Sequence, residues 1–133
     1  MNRGQAFAAK HDRDHALADF TQAIRLDPDG ILAYRKRAFF RLEGGDAKGA
    51  IEDYTHVIDS NSRDAEALRG RGHARLINHD PDAAIADLTA ALSLNPKDIV
   101  AYRFRALAYD AKGDTKRADV DFAAERQLEM AAR

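Results

Sequence analysis

Arginines in two repeating registers are the residues of this chain best placed for chemistry. Arg3, Arg37, Arg71 and Arg105 stand 34 residues apart, and Asp19, Asp53, Asp87 and Asp121 each follow one of them by 16 residues. A planar guanidinium and a carboxylate at a constant offset suit a forked, two-bond ion pair. The offset predicts one such pair per repeat, used for packing rather than for holding a ligand. A second register contains Arg35, Arg69 and Arg103, with Lys36, Phe39, Leu42, His73, Leu76, Phe104 and Leu107 beside them. Basic forks interleaved with apolar side chains suit an extended acidic-hydrophobic segment, the arginines holding carboxylates and the apolar residues supplying burial. The competing reading is a solvated stripe partly neutralised by Glu43, Glu66 and Asp110.

Other candidate motifs fail on spacing. His11 and His15 lie four apart, but the stretch HDRDH falls where a turn between two helices is expected and lacks the glutamate of a helical zinc motif. The segment Gly44-Gly45-Asp46-Ala47-Lys48-Gly49 lacks both the GK[ST] ending and the preceding strand of a phosphate loop. Ser60, Ser62 and Ser93 have no histidine placed to activate them. The expectation is therefore no catalytic residue, no metal site and no cofactor. The 133 residues carry a net charge of −1, whereas a phosphate-binding surface is basic, so nucleic acid is not the expected partner. No apolar run approaches the length that spans a bilayer, and none forms a signal-peptide core near the N-terminus, so no membrane partner is expected either. Cysteine is absent, which excludes disulfides and thiolate metal sites. A protein or peptide partner remains.

The elements that position these residues follow from the period itself. Asp12, Asp46, Asp80 and Asp114 are in register, as are Ala16, Ala50, Ala84 and Ala118. Such a period marks one supersecondary unit copied and stacked. In residues 65–98, numbered 1 to 34 as one unit, two helical runs are expected at about positions 2–14 and 17–29. Asp80 is placed to cap the second helix and Pro81 suits its first turn. Ala84, Ile85, Leu88, Ala91 and Leu92 form its buried stripe, and Asn95-Pro96 ends it. The same scheme fits 31–64 and 99–132, with glycine at the turns Gly45 and Gly113. Residues 1–30 read as the same unit lacking its first four positions. The chain opens inside a helix, either because Met1 is a real start with one frayed turn or, the favoured reading, because it is the tail of a longer array, and its last helix is expected to run nearly to Arg133 as a polar cap.

These columns resemble the tetratricopeptide repeat (TPR) family, in its bacterial-looking form. The small residue at position 8 is Gly4, Ala38, Gly72 and Ala106, and the alanine at position 20 is present four times. Position 24 holds Phe20, Tyr54, Leu88 and Phe122, and the proline at position 32 is Pro28 and Pro96, with Ser62 in the second repeat. Arg41 and Arg75 depart from the family's aromatic at position 11, where Phe7 and Tyr109 keep it, and they are expected to snorkel to solvent. The resemblance implies an all-α, right-handed solenoid of stacked antiparallel helix pairs, one domain over 1–133 with repeats 1–30, 31–64, 65–98 and 99–133. It implies a concave groove lined by Arg35, Lys36, Phe39, Arg69, His73, Leu76, Arg103, Phe104 and Leu107. TPR domains that clamp the carboxylate of chaperone tails use five polar slots; here these hold Met1, Gln5, Lys36, Glu66 and Gly70 in one frame, or Arg35, Phe39, Gly70, Val100 and Phe104 in the next. Neither frame carries the clamp. The expected function is a non-enzymatic adaptor; the alternatives are a self-assembling module, forming a homo-oligomer or part of a longer array, and the docking domain of a larger enzyme.

Overall fold

A computed structural model describes the backbone of residues 3–133 and the side chains from Ala9 onward. Seven α-helices follow one another: α1 (Arg3–Leu26), α2 (Ile31–Glu43), α3 (Ala47–Ser60), α4 (Ala65–Ile77), α5 (Pro81–Leu94), α6 (Ile99–Ala111) and α7 (Thr115–Ala131). No strand occurs among the described residues. Each boundary has a local cause. Asp46, Asp80 and Asp114 accept from the backbone N–H three residues on, at 2.9, 3.3 and 3.2 Å, satisfying a donor the first helical turn leaves open. Gly45 and Gly113 turn the chain at φ 88° and 82°, where a side chain would be strained, and His79 takes the same conformation at φ 63°.

Consecutive helices pack as neighbours along the whole chain, and α2 also meets α4 while α4 meets α6. No corresponding contact joins α3 to α5 or α5 to α7 among the described residues. The first helices of the pairs therefore crowd the inside of the curve and the second helices fan outside, which is a solenoid. Small residues permit the close approach: Ala38, Ala50, Ala84, Ala106 and Ala118 are fully buried. Two apolar clusters result, one around Tyr54, Val57 and Leu68, the other around Leu88, Leu92 and Ala101.

The predicted arginine–aspartate pairs form in three repeats. Arg37 donates to both oxygens of Asp53 at 2.9 and 2.8 Å, Arg71 to Asp87 at 2.9 and 2.8 Å, and Arg105 to Asp121 at 2.8 and 2.8 Å. The aspartates are at most 4% exposed. These hydrogen bonds hold the Arg37 and Arg105 guanidiniums above the ordinary arginine range, against the opposing effect of burial. A third nitrogen of each arginine reaches a threonine of the preceding repeat: Thr21 at 3.3 Å, Thr55 at 3.2 Å and Thr89 at 3.2 Å. Each cluster thus joins three helices.

Two expectations are corrected. Arg41 and Arg75 do not merely snorkel; they turn inward to Asp53 and Asp87 at 3.1 and 2.9 Å, giving each central aspartate a second cation. The turn expected within HDRDH is not made, because α1 runs unbroken through it. Residues 10–13 carry neither the glycine of the turns at 45 and 113 nor a proline like Pro81, so nothing opposes helix continuation there. Arg3, Gly4 and Phe7 lie outside the described side chains. The last helix does extend, to Ala131.

Asp87→Ala leaves Arg71 and Arg75 without their shared anion. Its cost is expected toward the lower end of the ~3–5 kcal/mol for breaking a buried pair, since Arg75 partly reaches water. Asp121→Ala, which orphans one arginine, should cost less; urea denaturation of both variants measures the difference. Ala84→Leu should overpack the contact between α4 and α5 and lose about 1–3 kcal/mol, read in the same assay.

Candidate functional site

The concave face is built by α2, α4 and α6, and its centre is set by one missing side chain. A Cβ at Gly70 would fall on the ring of Tyr54, so only glycine lets α4 pass over that ring. Tyr54 is 5% exposed. Burial, with Glu66 adding to it, pushes its phenol up to about 12, so the hydroxyl stays protonated. No hydrogen bond to that hydroxyl forms among the described residues, leaving a donor at the floor of the groove. Phe39, Leu42, Glu43, Glu66, Arg69, His73, Val100 and Phe104 complete a cavity of about 320 Å³ around Tyr54 and Gly70. His73 stacks on Phe104 with ring centres 4.0 Å apart and planes 11° apart.

Four of the residues expected in the groove, Phe39, Arg69, His73 and Phe104, line this cavity. Arg35 and Lys36 line an adjoining one of about 530 Å³ with Phe20, Leu32, Phe39, Phe40, Tyr54 and Glu66. Arg103, Leu76 and Leu107 stand outside both; Leu76 packs against the Leu88 cluster, and Leu107 is 42% exposed. Tyr54 and Gly70 were not expected as site residues. The available signal was a glycine in a helix interior, which costs about 0.5–1 kcal/mol relative to alanine and so points to a close approach.

The arginine register behaves differently from its sequence reading. Arg35 is paired with Asp64, Arg69 donates to Asp98 at 3.0 Å, and Arg103 donates to Glu125 and Glu129 at 2.6 and 3.2 Å. Asp64 and Asp98 are also helix N-caps, accepting from Ala67 and Ala101 at 3.0 and 3.1 Å through their other oxygen. One carboxylate therefore starts a helix and ties it to the helix before last. The positive charge of the register is taken up within the chain. Glu43, Glu66 and Lys36, all exposed, have no ion pair among the described residues. His11 and His15 sit on one helix with ring centres 4.4 Å apart, and no cluster of three metal-ligating side chains occurs among the described residues. Ser60 and Ser93 each donate to the backbone carbonyl four residues back, at 3.2 and 3.1 Å.

A family model described as tetratricopeptide repeat matches residues 1–59, 41–99 and 70–126. The chain belongs to the tetratricopeptide repeat family. Among solved structures, a crystal structure of MamA is 25% identical with a TM-score of 0.85, covering 96% of this chain and 75% of that one. MamA 41-end from Desulfovibrio magneticus RS-1 superposes with a TM-score of 0.87 at 23% identity, over 96% of this chain and 72% of that one, a likeness of fold. The second TPR of Spaghetti (RPAP3), bound to the HSP90 peptide SRMEEVD, is 26% identical with a TM-score of 0.71, over 74% of this chain and 91% of that one. Comparison with curated protein sequences gave no match. The TPR family supports a protein-interaction module here.

Burial holds the imidazole of His73 below its ordinary value of 6.5. The unfolded chain then takes up the proton first, so this residue's contribution is full above about pH 6.5 and falls as pH drops through that value. Thermal melts between about pH 7 and about pH 5 should show a larger loss for the wild type than for His73→Gln.

Proposed function

We propose that this chain is a non-catalytic adaptor whose concave face, as one domain over 1–133, seats an extended segment of a protein partner. The cavity over Gly70 carries the reading: it is preformed, has Phe39, Leu42, Val100 and Phe104 among its walls, and holds a neutral donor at its floor, the Tyr54 hydroxyl. Such a site takes a large apolar side chain and offers a hydrogen bond to the backbone carbonyl beside it. A preformed groove avoids the ordering cost that a folding-on-binding surface incurs. The HSP90 peptide bound by the similar RPAP3 TPR supports a peptide as the kind of ligand.

The partner's charge follows from the groove's own ion pairs. An acidic-hydrophobic partner was the expectation from Arg35, Arg69 and Arg103, but these arginines would have to abandon carboxylates they already hold. The unpaired charges at the central cavity are those of Glu43 and Glu66. The proposed ligand is an apolar anchor with basic flanks.

Two synthetic peptide pools with a randomised aromatic or aliphatic anchor, one flanked by Lys/Arg and the other by Asp/Glu, test this by fluorescence anisotropy. The basic pool should yield binders that Tyr54→Phe weakens by removing the donor and Glu43→Lys with Glu66→Lys weakens at least tenfold, with helical circular dichroism retained. Preference for the acidic pool, lost in Arg35→Glu with Arg69→Glu, would return the recognition to the arginines. Binding by neither pool would refute the groove.

A further inference from the structure

A cavity of about 550 Å³ lies where α1 meets the end of α2 and the turn into α3, and it shares no lining residue with the cavity over Gly70. The face of α1 that lines it is outward in every repeat. The registers of Ala18 and Arg25 carry Glu52 and Asp59, then Ala86 and Ser93, all exposed although a repeat stands on either side. Its opening has a cause in the sequence. At the register of Phe40 the later junctions carry Ala74 and Ala108, both fully buried. Phe40 is half-buried, its ring centre 5.5 Å from that of Phe20, so this junction cannot close as the others do.

A glycine seats Arg13 in this cavity. A Cβ at Gly44 would come 3.1 Å from the Arg13 Cδ, and Gly44 has φ −83°, which any residue adopts. Asn78 and Lys112 stand at the same register, so this glycine serves the room beside it rather than the turn. Arg13 is half-buried, Lys10 and Arg25 are exposed, and none of the three has an ion pair among the described residues. The other charges lining the cavity are Arg41, Asp46 and Asp14. Arg41 is held by Asp53 at 3.1 Å, and Asp46 caps α3. Asp14 is exposed and without an ion pair among the described residues, so three uncommitted cations face one uncommitted carboxylate. Leu17 lies between Arg13 and Arg25 on α1, and α2 adds the ring of Phe40.

We propose that this cavity docks an acidic segment of a protein partner, with a carboxylate at each end and an apolar side chain between them. Arg13, already positioned by Gly44, takes one carboxylate as a forked pair, and Lys10 adds to the positive field at that end. Arg25 takes the other. From Arg13 to Arg25 the helix rises about 18 Å. About five or six residues of extended chain cover that distance. The apolar side chain rests on Leu17 and Phe40, which supply burial while the arginines supply register. The preference is opposite to that of the concave cavity, where the unpaired charges are Glu43 and Glu66. One chain thus holds two separate docking faces of opposite charge.

A labelled peptide pool with paired Glu/Asp at both ends and a randomised aromatic or aliphatic centre tests this by fluorescence anisotropy on the full chain. The wild type should bind it. Arg13→Glu with Arg25→Glu should weaken binding at least tenfold, and the neutral Arg13→Gln with Arg25→Gln severalfold, with helical circular dichroism retained. Gly44→Leu, which takes the room Arg13 occupies, should weaken it with no change of charge. Arg35→Glu with Arg69→Glu should leave it within twofold, which separates this cavity from the concave face. Absence of binding overturns the proposal, as does equal binding by the wild type and the Arg13→Glu/Arg25→Glu chain. Displacement of the pool by equimolar pyrophosphate also overturns it, since the cations would then serve a small anion.

Discussion

Asp53, Asp87 and Asp121 are ionisable groups almost wholly withdrawn from water, and the stacking of the helices follows from the need to neutralise them. Each draws the forked guanidinium of its own repeat's first helix across to the second. That fork sets the height at which the two helices meet. The same guanidinium then has a nitrogen left for a threonine one repeat back, so spacing within a repeat and register between repeats are fixed by one side chain. In the central repeats Arg41 and Arg75 complete the neutralisation. In the last repeat Tyr109 stands at that position, and among the described residues Arg105 is the one cation paired with Asp121.

A second set of ion pairs works at the inner face. Asp64 and Asp98 cap α4 and α6 and simultaneously receive Arg35 and Arg69, so the start of one inner helix is tied to the body of the preceding one. In the last repeat Arg103 turns to Glu125 and Glu129 of α7 instead. This use of the arginines decides the character of the groove. The concave face presents the cavity beside Gly70, bordered by Glu43 and Glu66, rather than a row of unpaired arginines.

The degree to which the chain could be read in advance varied by kind of interaction. The arginine–aspartate pairs were legible because both partners recur at a constant offset inside one repeat. The threonine column, Thr21, Thr55 and Thr89, was equally periodic, but its role depends on the preceding repeat's helix lying beside the arginine. The double use of Asp64 and Asp98 was hidden for the same reason, since a helix-cap residue gives no sign that its second oxygen is engaged elsewhere. Tyr54 escaped notice as a floor residue because its position 24 belongs to the packing stripe; only the glycine above it exposes its hydroxyl to the groove.

The period, the helix limits from residue 31 onward and the forked pairing of Arg37, Arg71 and Arg105 with Asp53, Asp87 and Asp121 were determined by sequence alone, because each depends on residues within one unit and on local backbone preferences. Tertiary structure decided where the remaining charge goes. Whether a guanidinium is offered to a ligand or spent on a neighbouring cap depends on distances between helices of successive repeats, which no single unit encodes. It also decided the fate of the first repeat. A capping aspartate permits a turn at residue 12, but without a glycine to start it or a proline to end the preceding helix, continuous hydrogen bonding through α1 prevails.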